Sequence, residues 1–197
     1  ENPVQPKTLL DFAGISLPTA DFTSAVLLLI DCQQEYTAGK LPLAGVSAAV
    51  EAIGRLQENA RKAGAPIIHV AQNGRPGSAL FDPDGPTARF IAEIAPAPNE
   101  PTVIKSLPNA FARTDLDSRL KMTGRTNLTV AGFMTHMCVS ATTRAALDLG
   151  YRATVVAEAT ATRDLPDGTG GVLEAALVKR VALAELADRF ARVVPML

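Results

Sequence analysis

A chain of 197 residues, 47% hydrophobic and 20% charged, is sized for one domain with a full core; two domains at this length would each be thin. Nineteen basic against twenty acidic residues give a net charge of −1 with no basic run, which argues against a nucleic-acid partner. The longest strongly apolar run, Ala25 to Ile30, is far short of the ~20 residues that span a bilayer, so no membrane partner is expected.

Residues 1–23 read as an extension ahead of a core over about 24–195, and they lack the basic start and apolar block of a signal peptide. Ala25–Asp31 (AVLLLID) is a continuous apolar run ending in an acid, the pattern of a buried central strand. From Leu43 to Gly64 the residues Leu43, Val46, Val50, Ile53 and Leu56 recur at helical spacing, and Gly64 is a natural stop. Pro66–Gln72 is the second strand, and Asn73–Pro86, rich in Gly and Pro, is a surface loop. Thr102–Lys105 is a short strand that again ends in a charge. Thr114–Gly124 reads as a helix capped by Thr114, with Asp115 and Asp117 at the positive end of its dipole. Asn127–Gly132 is the fourth strand, Thr135–Gly150 a helix and Arg152–Ala157 the fifth strand. A loop over Asp164–Gly171, a helix over Val172–Arg189 and a last strand at Ala191–Val194 complete the chain.

This alternation implies a three-layer α/β/α sandwich around a mostly parallel, doubly wound sheet. Ligands of such sheets bind at the carboxyl ends of the strands. That edge holds Asp31, Asn73, Lys105, the segment Gly132–Cys138 and Glu158.

Asp31 is expected to be shielded from water, where burial raises a carboxyl pKa and a cation lowers it; a strand-end salt bridge or helix cap is the structural alternative. Lys105 ends a strand at the same edge and is placed to hold Asp31 ionised, against the commoner solvated lysine. Cys138 falls in the first turn of a helix, where free N–H groups and the dipole favour a thiolate and can hold an oxyanion; a buried filler cysteine is the alternative. A cysteine nucleophile needs a base, and Asp31 is the candidate.

His69 reads as a strand-face or core histidine. His136, two residues before Cys138, points to another helix face and is a poor base for it. No cluster has metal-ligand spacing, so no metal or other cofactor is expected. Cys32 reads as structural, and the two cysteines are too few for a disulfide scaffold, which suits a cytoplasmic location. Arg75, in a loop placed to cover the site, is positioned for an anionic substrate group or for solvent; Ser78 and Ser106 have no evident base. The turn after the first strand lacks the Gly-x-Gly-x-x-Gly of a dinucleotide site.

Three segments carry a family likeness: LLLIDCQQEY (Leu27–Tyr36), IKSLPNAFARTDLDSRL (Ile104–Leu120) and LTVAGFMTHMCVSATTRAALDLGY (Leu128–Tyr151). In this order they resemble the cysteine hydrolase branch of the isochorismatase-like hydrolases, over about Val26 to Val194. The resemblance implies a triad of Asp31, Lys105 and Cys138, a cis peptide just before Met134, and an oxyanion hole from the backbone N–H groups of Met134 and Cys138. Gln33, Tyr36, Phe111, Thr135 and Met137 are expected to shape the substrate pocket. Two departures matter: Cys32 to Pro42 has no histidine, unlike the metal-binding nicotinamidases, and a cysteine nucleophile is foreign to true isochorismatases. The expectation is hydrolysis of a small amide, carbamoyl or ureido substrate by a homo-oligomer without cofactor. The alternative is a non-catalytic or redox-responsive relative with an accessible, low-pKa Cys138.

Overall fold

The computed structural model describes residues 5–19 and 21–197; residues 1–4 and 20 of the expected extension lie outside the described residues. The extension contains one helical turn, α1 (Leu9–Phe12), closed by a reciprocal Thr8–Asp11 capping box. The leucine-rich and β-branched runs form parallel strands β1 (Ala25–Ile30), β2 (Ile67–Gln72), β3 (Thr102–Lys105), β4 (Asn127–Phe133) and β5 (Arg152–Ala161). Two short strands, β6 (Leu165–Pro166) and β7 (Val172–Leu173), pair antiparallel as a separate ribbon. The last strand, β8 (Ala191–Val194), returns to the main sheet, whose order is β3-β2-β1-β4-β5-β8.

All six residues of β1 are buried, as a strand covered on both faces requires. Leu27 and Leu29 share one apolar layer with Ala52, Ile53 and Leu56 of α2 (Val46–Lys62). Val26, Leu28 and Ile30 share the other with Leu116 and Leu120 of α3 (Leu116–Met122), Ala146 of α4 (Ser140–Asp148) and Leu186 of α5 (Ala175–Arg189). Each such leucine or isoleucine contributes about 1.5–3 kcal/mol on burial. The result is the three-layer, doubly wound architecture read from the alternation of elements.

The winding positions the site. The chain steps from β1 outward to β2 and β3, returns to the other side of β1 as β4, then continues to β5 and β8. The direction therefore reverses between β1 and β4, and a crevice opens at their carboxyl ends. Gly132 makes the close approach there: it pairs with Ile30 at φ 116°, and an added Cβ would collide with the Ile30 carbonyl.

Several boundaries differ from the sequence reading. Asp31 has left the strand with φ 52°, in the left-handed region that residues with a Cβ seldom occupy. The helix expected from Thr114 starts at Leu116; Thr114 Oγ1 donates to the Ala110 carbonyl at 2.5 Å and accepts from Leu116 N–H at 3.3 Å, bracing the turn before it. Thr135–Val139 form a π-helical turn ahead of α4 rather than regular α-helix. The helix expected from Val172 starts at Ala175, because Val172 and Leu173 pair with Leu165 and Pro166. Strand β5 runs four residues past the expected Ala157 to Ala161: between the pairs Val130–Val155 and Gly132–Thr160, two steps on β4 meet five on β5. Glu158 thus lies within this irregularity, and the sheet edge is formed by Ala161 and the residues after it. No helix among the described residues is long and apolar enough to cross a membrane.

Candidate active site

Three segments meet at the switch between β1 and β4. Asp31 follows β1, Lys105 ends β3, and Cys138 lies in the turn after β4; their exposures are 0%, 2% and 6%. Lys105 Nζ lies 2.8 Å from Asp31 Oδ2, 3.2 Å from Cys138 Sγ and 2.6 Å from Gln72 Oε1. An ammonium carries three protons, and each has an acceptor here. Apart from Lys105 and the Cys138 side chain, no group among the described residues is bonded to the Asp31 carboxylate.

The electrostatics follow from that closure. Burial raises the Asp31 pKa, opposed by the Lys105 charge and by hydrogen bonds from Lys105 and Cys138. Burial also pushes the Cys138 thiol up, to about 12, helped by the Asp31 charge and opposed by Lys105. The surroundings thus work against the thiolate that a helix start favours: burial first, and then the adjacent Asp31 charge, hold the thiol pKa up against the pull of Lys105. Alkylation by iodoacetamide is expected to be slow at pH 7 and to accelerate steadily through pH 9–10, read by mass spectrometry of the Cys138 peptide. A rate already at its plateau below pH 7 would show a resting thiolate instead.

The turn around Cys138 is built from local hydrogen bonds. The Met134 carbonyl accepts from Met137 N–H at 3.0 Å and Val139 N–H at 3.3 Å, the residues on either side of Cys138. The Phe133–Met134 peptide bond is cis. The segment after β3 is pinned to α4, where Thr142 Oγ1 accepts from Ala110 N–H at 3.0 Å.

The predicted pocket residues divide. Tyr36 is buried with its ring edge-on to Phe81 and Phe133 at 5.4 and 5.7 Å, and burial followed by the charges of Asp31 and Cys138 raises its phenol pKa, so it walls the site as a neutral group. Thr135 is buried with a hydroxyl that has no partner among the described residues, Met134 is buried, and Met137 stands exposed beside Cys138. Gln33 is a correction: its Nε2 donates to the Gln72 and Ala88 carbonyls, both at 2.8 Å, and its Oε1 accepts from Gln72 N–H at 2.8 Å. That side chain is spent on backbone and clamps β2 rather than meeting a ligand. Phe111 packs against the buried layer that includes Cys138, with its ring stacked on Tyr151 at 5.8 Å.

Other groups fall into place around these. Cys32 is sealed in the apolar layer against α2, and burial, then the Asp31 charge, raises its thiol pKa. Buried His69 bonds Glu100 through Nε2 at 2.8 Å; Arg61 also grips that carboxylate, which falls to about 2 as its hydrogen bonds outweigh burial. A cleft of about 520 Å³ beside this pair, between Pro66 and Met122, contains none of the triad residues. The loop after β2 is anchored by Gly74 N–H to the Phe81 carbonyl at 2.8 Å and by Phe81 N–H to Glu35 at 3.0 Å; Arg75 is exposed on it. No group of three metal-ligating side chains occurs among the described residues.

Sequence reading passed over Gln72 and the segment after β5. His136 Nδ1 lies 2.6 Å from Thr162 Oγ1, and burial, then the Arg163 charge, lowers the His136 pKa. Among the described residues Arg163 holds one hydrogen bond, Nη1 to the Asp164 carbonyl at 3.1 Å, and its buried Nε has no partner.

Residues 25–195 match the family model of the isochorismatase domain. A solved isochorismatase from Pseudomonas putida is similar to this chain with a TM-score of 0.93 at 44% identity, over 97% of both chains. The secreted isochorismatase effector of Verticillium dahliae is 38% identical over 181 residues, 92% of this chain and 93% of its own. A streptothricin hydrolase of Streptomyces noursei is 33% identical over 180 residues, 89% of this chain and 71% of its own.

Proposed function

The chain belongs to the isochorismatase family of hydrolases, and from that premise we propose that it cleaves the C–N bond of a small amide, carbamoyl or ureido compound through a Cys138 thioester. The observation that carries this reading is the position of the Lys105 ammonium, 2.8 Å from Asp31 Oδ2 and 3.2 Å from Cys138 Sγ. A proton moving from sulfur to carboxylate shifts negative charge from Asp31 to Cys138. Both ends of that shift lie within reach of one cation, so the charge is compensated throughout in a low-dielectric site.

Asp31, its pKa raised by burial, takes the Cys138 proton as sulfur attacks the carbonyl carbon. The C–O π electrons move onto oxygen, and the N–H groups of Met134 and Cys138 hold the oxyanion. As the oxyanion collapses, the C–N bond breaks and Asp31 returns the proton to the leaving amine. Water, deprotonated by Asp31, attacks the thioester; the C–S bond breaks, the acid departs, and the proton goes back to sulfur. Arg163, with its unpartnered buried Nε, suits an anionic group on the substrate. Two free, buried cysteines suit a reducing cytoplasm, while a named relative is secreted.

A panel of small amides, carbamoyl compounds and ureides, quenched in acid during turnover, tests the reading. At least one is expected to be hydrolysed with an acyl mass on the Cys138 peptide. Turnover with no such adduct under single-turnover conditions would overturn the thioester route, and an inert panel would overturn the substrate class.

A further inference from the structure

We propose that Gln72 is a specificity-determining residue of this site, binding an oxygen acceptor on the substrate through its side-chain NH2 group. The substrate in this statement rests on the hydrolase reading above; the geometry and the test do not.

Gln72 ends β2 and is in register with Lys105 of β3. Its Oε1 accepts from Lys105 Nζ at 2.6 Å. An ammonium can only donate, so the amide oxygen must face it and the amide cannot flip. The backbone on which this side chain turns is held on both sides, since Gln33 accepts from Gln72 N–H and donates to the Gln72 carbonyl, each at 2.8 Å. Nε2 is thereby fixed on the side away from Lys105. Among the described residues its one hydrogen bond is to the Asn73 carbonyl at 3.5 Å, the outer limit for such a bond. Among Asp31, Gln33, Gln72, Lys105 and Cys138, only Gln72 is not buried. Among the side-chain NH2 and ammonium donors of this network, Gln72 Nε2 is thus the one left oriented and nearly unused, on the residue that is not buried. A donor so placed favours substrates with a carboxylate, carbonyl or ureido oxygen near the scissile amide, and leaves an amine or apolar group there unmatched.

The test uses two alkylating probes of similar size, iodoacetate and iodoacetamide, on the full chain at pH 9. Rates at Cys138 are compared in the wild type, Gln72→Leu and Gln72→Glu. The ratio of the two rates cancels any change in thiol reactivity common to both. Loss of the donor is expected to lower the iodoacetate-to-iodoacetamide ratio roughly tenfold in Gln72→Leu, the scale of one hydrogen bond to a charged acceptor. Gln72→Glu is expected to lower it further. An unchanged ratio in Gln72→Leu would overturn the proposal. Labelling of Cys32, sealed in the core, reports loss of the fold; Gln72→Met, which keeps the side-chain length, then supplies the deciding ratio. Labelling needs no turnover, so an unchanged ratio removes the role of Gln72 while amide hydrolysis stands. An inert amide panel removes the hydrolase reading while the ratio still decides Gln72.

Discussion

Cys138→Ala is expected to lose amide turnover by about 10⁴-fold or more while keeping its fold, since removing the nucleophile of a unit that acts together forfeits nearly all of its catalysis. No neighbour can replace it. Cys32 is 1% exposed in the opposite apolar layer, and burial raises its thiol pKa. Ser106 is exposed and Ser78 Oγ is spent on the Leu80 carbonyl at 2.8 Å, so neither offers an activated hydroxyl. The substitution deletes one sulfur and leaves Lys105 with its bonds to Asp31 and Gln72, so the stability cost stays small beside the kinetic loss. Steady-state kcat/KM and thermal unfolding together check this. Undiminished turnover in Cys138→Ala would remove the thioester route.

What the sequence revealed of this site depended on whether a residue's role is set by its own strand or by its neighbours' register. Asp31 and Lys105 were legible because each ends an apolar strand, and the parallel winding brings such ends to one edge. Cys138 was legible as a cysteine just past β4, but the upward shift of its thiol pKa was not. That depends first on burial and then on the closeness of Asp31, which no helix rule encodes. Gln33 was expected in the pocket; the positive φ at Asp31 breaks the strand alternation, and the side chain turns into the β2 backbone. Gln72 looked like an ordinary strand end, since its meaning lies in being opposite Lys105, a register fixed only once β2 and β3 pair. Arg163 was missed because β5 takes up extra residues opposite β4 and reaches the edge later than its apolar run suggests.

The second large effect is on stability, and it separates the structural from the chemical role of the buried ion pair. Lys105→Met is expected to destabilise the fold by about 3–5 kcal/mol near neutral pH, because it strands an uncompensated carboxylate at a position with 0% exposure. The loss should depend on pH. With the cation gone, burial holds the folded-state pKa of Asp31 above its ordinary value of 3.8 with nothing to oppose it. Above 3.8 the unfolded chain has released a proton that the folded chain still holds, so stability falls as pH rises from there and recovers in acid. Adding Asp31→Asn removes the stranded charge, and the double variant should regain most of the lost stability and lose the pH dependence. Neither Lys105→Met nor the double variant should regain activity, because a neutral amide cannot take the Cys138 proton and Met cannot compensate the sulfur. Denaturant unfolding of wild type, both single variants and the double variant at pH 5 and pH 8 measures the coupling directly. A Lys105→Met protein as stable as wild type at pH 8 would mean that Asp31 does not carry its charge in the folded core, and the proton acceptor in the proposed reaction would have to be sought elsewhere.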